Sequence, residues 1–195
     1  MKNAVIVYYH PYQGSFCHAI LEATTKGLKN SGYQVDVIDL QADKFDPVMS
    51  STDLLAFVKH QMVDEQALDY VKRLKKASKL VFIFPIWWEL MPAMVKGFID
   101  KVIFPGSTYE YAKTITGMKT ALPFLKQTQV ITTMNTPKYV YQFIFGNAVK
   151  KALVTGTLKK TGLKNVKWLN LTGVKSRSDE KRQLWLTKIE QNMAK

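Results

Sequence analysis

The chain has 195 residues, of which 47% are hydrophobic and 12% aromatic, and this composition is typical of a folded globular protein rather than a disordered one. We predict one domain over residues 1–195. The formal net charge of +13 lies in one half: residues 1–100 carry 11 Lys/Arg and 11 Asp/Glu, whereas residues 101–195 carry 17 and 4. No nucleic-acid-binding motif accompanies the basic residues, so we expect no nucleic-acid partner.

The amino-terminal segment and the cysteine content predict a cytoplasmic protein. The first apolar run, residues 4–9, is too short for the core of a secretory signal. No apolar stretch approaches the ~18 residues of a membrane-spanning helix, so we expect no membrane insertion. Cys17 is the only cysteine, which excludes an internal disulfide and suits a reducing compartment. The three histidines and this cysteine lack the spacing of metal ligands, so we expect no metal site.

The first predicted elements are a buried strand and a capped helix. Residues 3–9 form a continuous apolar run bounded by a turn, which predicts a buried strand. Ser15 is a suitable N-cap for a helix that follows and stops near residues 31–32. Residues 33–40 alternate apolar and polar side chains and predict a second strand. One or two helices are predicted within residues 51–78.

The rest of the chain repeats this alternation. A fully apolar strand is predicted over residues 79–84, and Pro92 stands at a favourable first turn of the helix that follows it. The later predicted elements are a strand over 129–134, a helix over 147–160, a strand over 166–171 and a helix over 178–193. This βαβαβαβαβ pattern predicts an α/β fold with a parallel sheet and helices on both faces. The doubly wound strand order 2-1-3-4-5 fits five such strands.

In a sheet of this order, ligands bind beyond the carboxyl ends of the strands, where the strand order reverses. The loops over residues 10–15, 85–91 and 134–138 border that crevice. The first loop, residues 10–15, leads into a helix N-terminus, whose free N–H groups and dipole favour a phosphate. Ser15 adds a hydroxyl and His10 a ring nitrogen. The alternative is that Ser15 only caps the helix and His10 only ends the strand.

The tryptophan loop, residues 85–91, contains two adjacent indoles, those of Trp87 and Trp88. Neighbouring residues of an extended segment face opposite sides, so at least one indole is expected in the crevice. There it would stack on a flat ring system such as the isoalloxazine of a flavin. We expect Trp88 to have this role and Trp87 to pack; the alternative is that both belong to the core.

Four stretches carry a resemblance to a known family: His10-Pro11 with Ser15-Phe16; Phe45-Asp46-Pro47; Phe84-Pro85-Ile86-Trp87-Trp88 and onward from Met91-Pro92 to Val102; and Thr132-Thr133. On these residues the chain resembles the NAD(P)H:quinone oxidoreductase family of flavodoxin-like flavoproteins. That family includes the modulator-of-drug-activity and potassium-efflux ancillary oxidoreductases. The similarity runs over essentially the whole length, and the third stretch is the most specific.

The resemblance implies a flavodoxin-like fold and a ping-pong transfer of hydride from NAD(P)H, through a bound flavin, to a quinone or similar acceptor. It also implies a homodimer whose active site lies at the interface. The implied flavin contacts are His10, Ser15, Phe16 and Cys17 for the phosphate, and Pro85, Ile86, Trp87, Trp88, Glu89, Thr132 and Thr133 for the ring and its edges.

The chain departs from the animal enzymes of this family after the threonine pair. Those enzymes carry two glycines there, and then a tyrosine followed six residues later by a histidine. Here Met134-Asn135 replaces the glycines, and Asn147 stands six residues after Tyr141. We therefore expect no tyrosine–histidine relay, and we name Tyr141 as the catalytic candidate that lines the acceptor site. The carboxyl-terminal region is also shorter, which leaves FMN and FAD open; we favour FMN.

Two alternatives stay open at this stage. The same fold and site would serve an accessory subunit that binds flavin and regulates a membrane transporter. NADPH is favoured over NADH only by the basic carboxyl-terminal half, which would attract its additional phosphate. The electron acceptor is not specified by any motif.

Overall fold

A parallel β-sheet with helices on both faces forms the centre of the computed structural model, which describes residues 2–194. The strands are β1 (Lys2–Tyr8), β2 (Tyr33–Asp39), β3 (Lys79–Pro85), β4 (Tyr109–Tyr111), β5 (Met118–Thr120), β6 (Gln127–Met134) and β7 (Val166–Thr172). The α-helices are α1 (Phe16–Asn30), α2 (Ser51–Lys59), α3 (Glu65–Lys76), α4 (Ala93–Val102) and α5 (Asp179–Met193). The main sheet has the order β2-β1-β3-β6-β7 with every pair parallel, which confirms the predicted doubly wound order.

The central strands are covered on both sides, as their uninterrupted apolar sequences predict. All seven residues of β3 are buried, and so are the last five of β1. Helices α1 and α5 pack on one face of the sheet, whereas α3 and α4 pack on the other. This double cover leaves the loops at the carboxyl ends of the strands as the open edge of the molecule.

Polar side chains fix where the helices begin. Ser15 accepts a hydrogen bond from the His18 N–H, and Ser178 one from the Lys181 N–H, so both predicted N-caps are confirmed. The segment 51–78 contains two helices. Ser50 and Asp53 form a capping box at the start of α2.

Helix α4 approaches the segment after β2 very closely. A Cβ atom at Gly97 would lie 2.3 Å from the carbonyl oxygen of Pro47. Only glycine allows this approach. The contact joins two of the stretches that carry the resemblance, Phe45-Asp46-Pro47 and the one that ends at Val102. Within residues 2–194, no helix is both long enough and apolar enough to cross a membrane.

The structure differs from the predicted elements between β6 and β7 and after α4. The helix predicted over 147–160 is replaced by a π-helical segment over Lys150–Lys159, and a π-helical turn covers Val140–Ile144. Gly146 and Asn147 have positive φ angles of 68° and 55°, so a right-handed helix cannot run through them. The antiparallel hairpin of β4 and β5 was not predicted, because each of its strands has only three residues.

Candidate functional site

A cavity of about 710 Å³ opens at the carboxyl ends of the central strands, where the strand order reverses. Its volume falls within the usual range for small-molecule and cofactor sites. The first loop, the tryptophan loop and the loop after β6 all contribute to it, as predicted from the topology. The lining residues are His10, Tyr12, Gly14, Ser15, Phe16, Cys17, Pro85, Ile86, Trp87, Thr133, Met134, Asn135, Val174 and Lys175.

The N-terminus of α1 presents hydrogen-bond donors to this cavity. Ser15 Oγ accepts the His18 N–H at 3.2 Å, and its carbonyl accepts the N–H groups of His18 and Ala19. The N–H groups of Phe16 and Cys17 have no acceptor within residues 2–194. Two free N–H groups at the positive end of a helix dipole form a site for an anion such as a phosphate.

His10 is held in one orientation beside these donors. Its Nδ1 accepts a hydrogen bond from the Tyr12 N–H at 3.1 Å, which leaves Nε2 to carry the proton of the neutral ring. Burial lowers the pKa of His10, so the ring is neutral at neutral pH. The side chain can therefore donate one hydrogen bond from Nε2 without a positive charge.

The base of the cavity is closed by a thiol and a hydroxyl. Cys17 Sγ lies 3.2 Å from Thr133 Oγ1, and both side chains are buried. Burial raises the pKa of the Cys17 thiol to about 11, so the sulfur is protonated at neutral pH. A protonated, buried thiol is a poor nucleophile, and Cys17 therefore acts as a packing and hydrogen-bonding group.

The two tryptophans of the tryptophan loop differ sharply in position. Trp87 lines the cavity and packs edge-on against Tyr9 and His10, at centroid distances of 5.9 and 6.1 Å. Trp88 points away into solvent and is 98% exposed. The indole that lines the cavity is therefore that of Trp87, whereas Trp88 was expected there.

A tight turn accounts for this arrangement. Trp87 and Leu90 exchange two backbone hydrogen bonds of 3.0 Å, with Trp88 and Glu89 as the two central residues. Both central residues have positive φ angles, 48° and 63°, which is the pattern of a type I′ turn. Residues other than Gly, Asn and Asp rarely adopt a positive φ angle, because this backbone conformation costs them about 1–2 kcal/mol per residue. Such a turn needs support from other parts of the protein.

That support comes from the segment after β6. Glu89 Oε1 accepts a hydrogen bond of 2.8 Å from the Thr136 hydroxyl, and the Glu89 carbonyl accepts one of 3.0 Å from the Tyr141 hydroxyl. Tyr141 Oη also accepts the Val149 N–H at 2.9 Å. Tyr141 is fully buried, and its hydroxyl is occupied by two backbone partners. It connects the tight turn to the π-helical region instead of lining the cavity.

Protein-family comparison agrees with this geometry: a family model described by its flavodoxin-like fold matches residues 2–193. The chain belongs to this flavodoxin-like family. It is 34% identical to NAD(P)H dehydrogenase (quinone) 1 of Cavia porcellus over 128 residues, which are 57% of this chain and 46% of that protein. The chain thus spans just under half the length of that relative.

Two solved structures match this flavodoxin-like chain over nearly its whole length. The protein Smu.1420 from Streptococcus mutans UA159 is 34% identical with a TM-score of 0.84, and the match covers 98% of both chains. The NAD(P)H:quinone oxidoreductase from Methanothermobacter marburgensis is 25% identical with a TM-score of 0.86 and covers 99% and 98%. The resemblance to NAD(P)H:quinone oxidoreductases is thereby confirmed.

The flavodoxin-like fold brings most of the predicted site residues together, but not all of them. Those around the cavity are His10, Ser15, Phe16, Cys17, Pro85, Ile86, Trp87 and Thr133. Those outside its lining are Trp88, Glu89, Thr132 and Tyr141. Thr132 lies on the opposite face of β6, where its hydroxyl accepts the Trp168 Nε1–H and donates to Asn170. Strand alternation separates the two adjacent threonines in this way.

The sequence reasoning missed the contribution of the loop after β7. Val174 and Lys175 line the cavity, and the Lys175 N–H is fixed by a 3.0 Å hydrogen bond to Asn135 Oδ1. Extending the topological rule to the fifth strand would have found both residues. In the described part of the chain, no group of three or more His, Cys, Asp or Glu side chains could hold a metal ion.

Proposed function

We propose that this chain is a flavin-dependent NAD(P)H oxidoreductase that passes two electrons, as a hydride, to a quinone or a similar acceptor. The observation that carries the proposal is that free helix N–H groups and an apolar aromatic wall line one and the same cavity. The similarity to an NAD(P)H dehydrogenase (quinone) 1 and to an NAD(P)H:quinone oxidoreductase supports the same activity.

The residues present fit a flavin mononucleotide. The N–H groups of Phe16 and Cys17, the Ser15 hydroxyl and His10 Nε2 would hold its phosphate. Pro85, Ile86 and the Trp87 indole would hold its ring. FMN is favoured over FAD because it needs only this cavity, whereas FAD needs a further groove for its adenylate. When bound, the flavin supplies the chemistry by taking a hydride from NAD(P)H and giving it to the acceptor.

The chain itself binds and orients. The Ile86 N–H donates to the Thr133 carbonyl at 2.8 Å, which fixes the start of the tryptophan loop against β6. Tyr141 and Thr136 fix its turn from the other side. We therefore propose Tyr141 as a positioning residue that acts through Glu89. No side chain is required as an acid or base. NAD(P)H and the acceptor would occupy the same place beside the flavin ring, one after the other.

We further propose a homodimer. Several large apolar side chains of the tryptophan loop and of the segment after β6 are exposed, among them Trp88, Leu90, Tyr139, Phe143 and Ile144. Exposed apolar surface of this kind marks an interaction site, and a second copy of the chain would cover it. Sedimentation analysis tests this: the protein should be dimeric, and the double variant Trp88→Ser/Phe143→Ser should be monomeric. A monomeric wild-type protein would contradict the proposal.

The proposed nucleotide is NADPH, and the proposed location is the cytoplasm. Lys175 supplies a cation at the edge of the cavity, and the carboxyl-terminal half of the chain is strongly basic. Both favour the nucleotide with the additional phosphate. Steady-state comparison should give a higher kcat/KM for NADPH than for NADH, and Lys175→Gln should reduce the difference. Equal kcat/KM values for NADPH and NADH in the wild type would contradict the proposed preference for NADPH.

Initial-rate kinetics with a simple quinone test the proposed reaction. Varying NADPH at several fixed quinone concentrations should give parallel double-reciprocal lines, because the two substrates would occupy the same site one after the other. Activity should depend on prior loading with FMN or FAD. A flavin-loaded protein without NAD(P)H oxidation by any quinone would overturn the proposed function.

A further inference from the structure

A second pocket, of about 310 Å³, lies at the opposite end of the sheet from the cavity. It is formed by the amino-terminal ends of β3, β6 and β7 and by the last turn of α5. Its lining contains two lysines, Lys79 and Lys167, with amide side chains from Gln127, Gln129, Asn165 and Asn192. Among the described residues that line it there is no carboxylate, so its charge is entirely positive.

Lys79 is the unusual member of this group, as a comparison with Lys101 makes clear. Both lysines are 6% exposed. Lys101 Nζ lies 2.5 Å from Asp64 Oδ2 and 3.7 Å from Asp53 Oδ2, so its charge is neutralised. Lys79 Nζ has no ion pair and no hydrogen-bond acceptor anywhere in residues 2–194. Lys79 Nζ makes a cation–π contact with the Tyr33 ring, whose centroid is 5.6 Å away.

A largely buried lysine side chain without a counter-charge is costly, because its ammonium group is partly desolvated and has no acceptor within residues 2–194. Burial and the neighbouring Lys167 both lower the pKa of Lys79. The Lys2 ammonium adds a third positive charge, 5.7 Å from the same Tyr33 ring. An anion placed between Lys79 and Lys167 would favour the charged form of Lys79 and raise its pKa.

The sheet register places the donors on one face. Lys79 is paired with Gln127 across β3 and β6, and Gln129 is paired with Lys167 across β6 and β7. Register partners in neighbouring strands and every second residue along a strand share a face. The two ammonium groups and the two glutamine amides therefore face the same space, which the last turn of α5 covers.

We propose that this pocket binds a small oxyanion of the phosphate or sulfate type, held by Lys79 and Lys167 with amide donors around it. The site is independent of the proposed flavin cavity, because β3 carries Lys79 at its first residue and Pro85, which lines the cavity, at its last. Six residue steps of a strand separate the two positions by about 20 Å.

Phosphate titration followed by amide NMR tests the proposal and resolves the two ends of the sheet. Inorganic phosphate is added at constant ionic strength to the wild type and to Lys79→Met and Lys167→Gln. We expect saturable shifts at the amides of residues 127–129 and 165–167 with a Kd of about 1 mM, weakened about tenfold or more in both variants. Chemical-shift changes at the amides of residues 15–17 report phosphate binding in the flavin cavity. The experiment therefore distinguishes absence of binding at one site from absence of binding at the other.

Thermal unfolding supplies a second readout and a matched control. Lys72, an exposed lysine on α3, serves for comparison through Lys72→Met. Without phosphate, Lys79→Met should raise Tm, because it removes an unpaired buried charge, whereas Lys72→Met should not. At ten times its Kd, phosphate should raise Tm of the wild type by roughly 3–5 °C more than that of Lys79→Met. Equal phosphate responses of the two proteins, or no shifts at residues 127–129 up to 50 times the expected Kd of about 1 mM, would overturn the proposal.

Discussion

The first loop and the tryptophan loop border the same cavity, but they are held in place by different means. The first loop is fixed by residues close in sequence: Tyr12 donates to His10, and Ser15 caps the helix that follows it. The tryptophan loop contains a turn with two unfavourable φ angles, and it is fixed by Thr136 and Tyr141, about 50 residues further along the chain. A local capping motif can hold a phosphate site, whereas the wall for a ring depends on tertiary contacts.

The largest expected effect is on the distant support of the tryptophan loop. Tyr141→Phe leaves the Val149 N–H and the Glu89 carbonyl without their partner in a buried position. We expect a loss of about 2–3 kcal/mol in the free energy of unfolding, measured by urea denaturation. Flavin affinity should fall as well, because the turn that positions Trp87 loses its anchor.

Tyr139→Phe is the matched control, since Tyr139 is exposed and its hydroxyl makes no hydrogen bond within residues 2–194. That variant should stay within about 0.5 kcal/mol of the wild type. If Tyr141→Phe were as stable as Tyr139→Phe, the tryptophan loop would not depend on this distant contact, and the contrast between the loops would be lost.

The local support of the first loop can be separated from its ligand role with two serine caps. Ser15→Ala and Ser50→Ala each remove a helix N-cap and should each cost about 1 kcal/mol of stability. Only Ser15→Ala should also weaken FMN binding, by about tenfold, because only that hydroxyl faces the cavity. Fluorescence titration of FMN measures the affinity. Equal FMN affinity in the two variants would reduce Ser15 to a structural cap.

The strain in the tryptophan loop predicts a smaller effect. Trp88→Gly places glycine at a positive φ angle and removes a side chain that makes little contact within one chain. At protein concentrations low enough for the proposed dimer to dissociate, the relief of strain exceeds the added chain entropy, so Tm should rise by an amount equivalent to about 0.5 kcal/mol. Glu89→Gly relieves similar strain but loses the Thr136 hydrogen bond, and it should not be stabilising. A lower Tm for the monomeric Trp88→Gly variant would contradict the strain assigned to this turn. At concentrations at which the wild type is dimeric, loss of the proposed interface should instead lower Tm.

The smallest effect concerns the protonation of His10. Burial lowers the folded-state pKa of His10 below its ordinary value of 6.5. As the pH falls through 6.5, the unfolded chain therefore takes up a proton before the folded chain does, and stability declines. This contribution is fully present above pH 6.5 and is lost toward the folded-state pKa. His10→Gln should flatten the stability of the flavin-free protein between pH 7.5 and 5; an unchanged slope would show that His10 is not the group responsible.

The same contrast explains what the sequence could predict. The sheet order, the Ser15 cap and the position of the crevice follow from periodicity and topology, which are local or general rules. The direction of each tryptophan could not be predicted, because nothing nearby in sequence indicates a type I′ turn at Trp88 and Glu89. The role of Tyr141 was missed for a related reason, since its two hydrogen-bond partners are backbone groups brought close only by the fold.

The most direct test of the central claim is an anaerobic absorbance titration of the protein after loading with FMN, in parallel with FAD, and desalting. We expect FMN to be retained, its visible band to bleach on addition of one equivalent of NADPH, and the band to return on addition of a quinone. A colourless protein that retains neither flavin, or a bound flavin that NADPH and NADH both fail to bleach, would contradict the account.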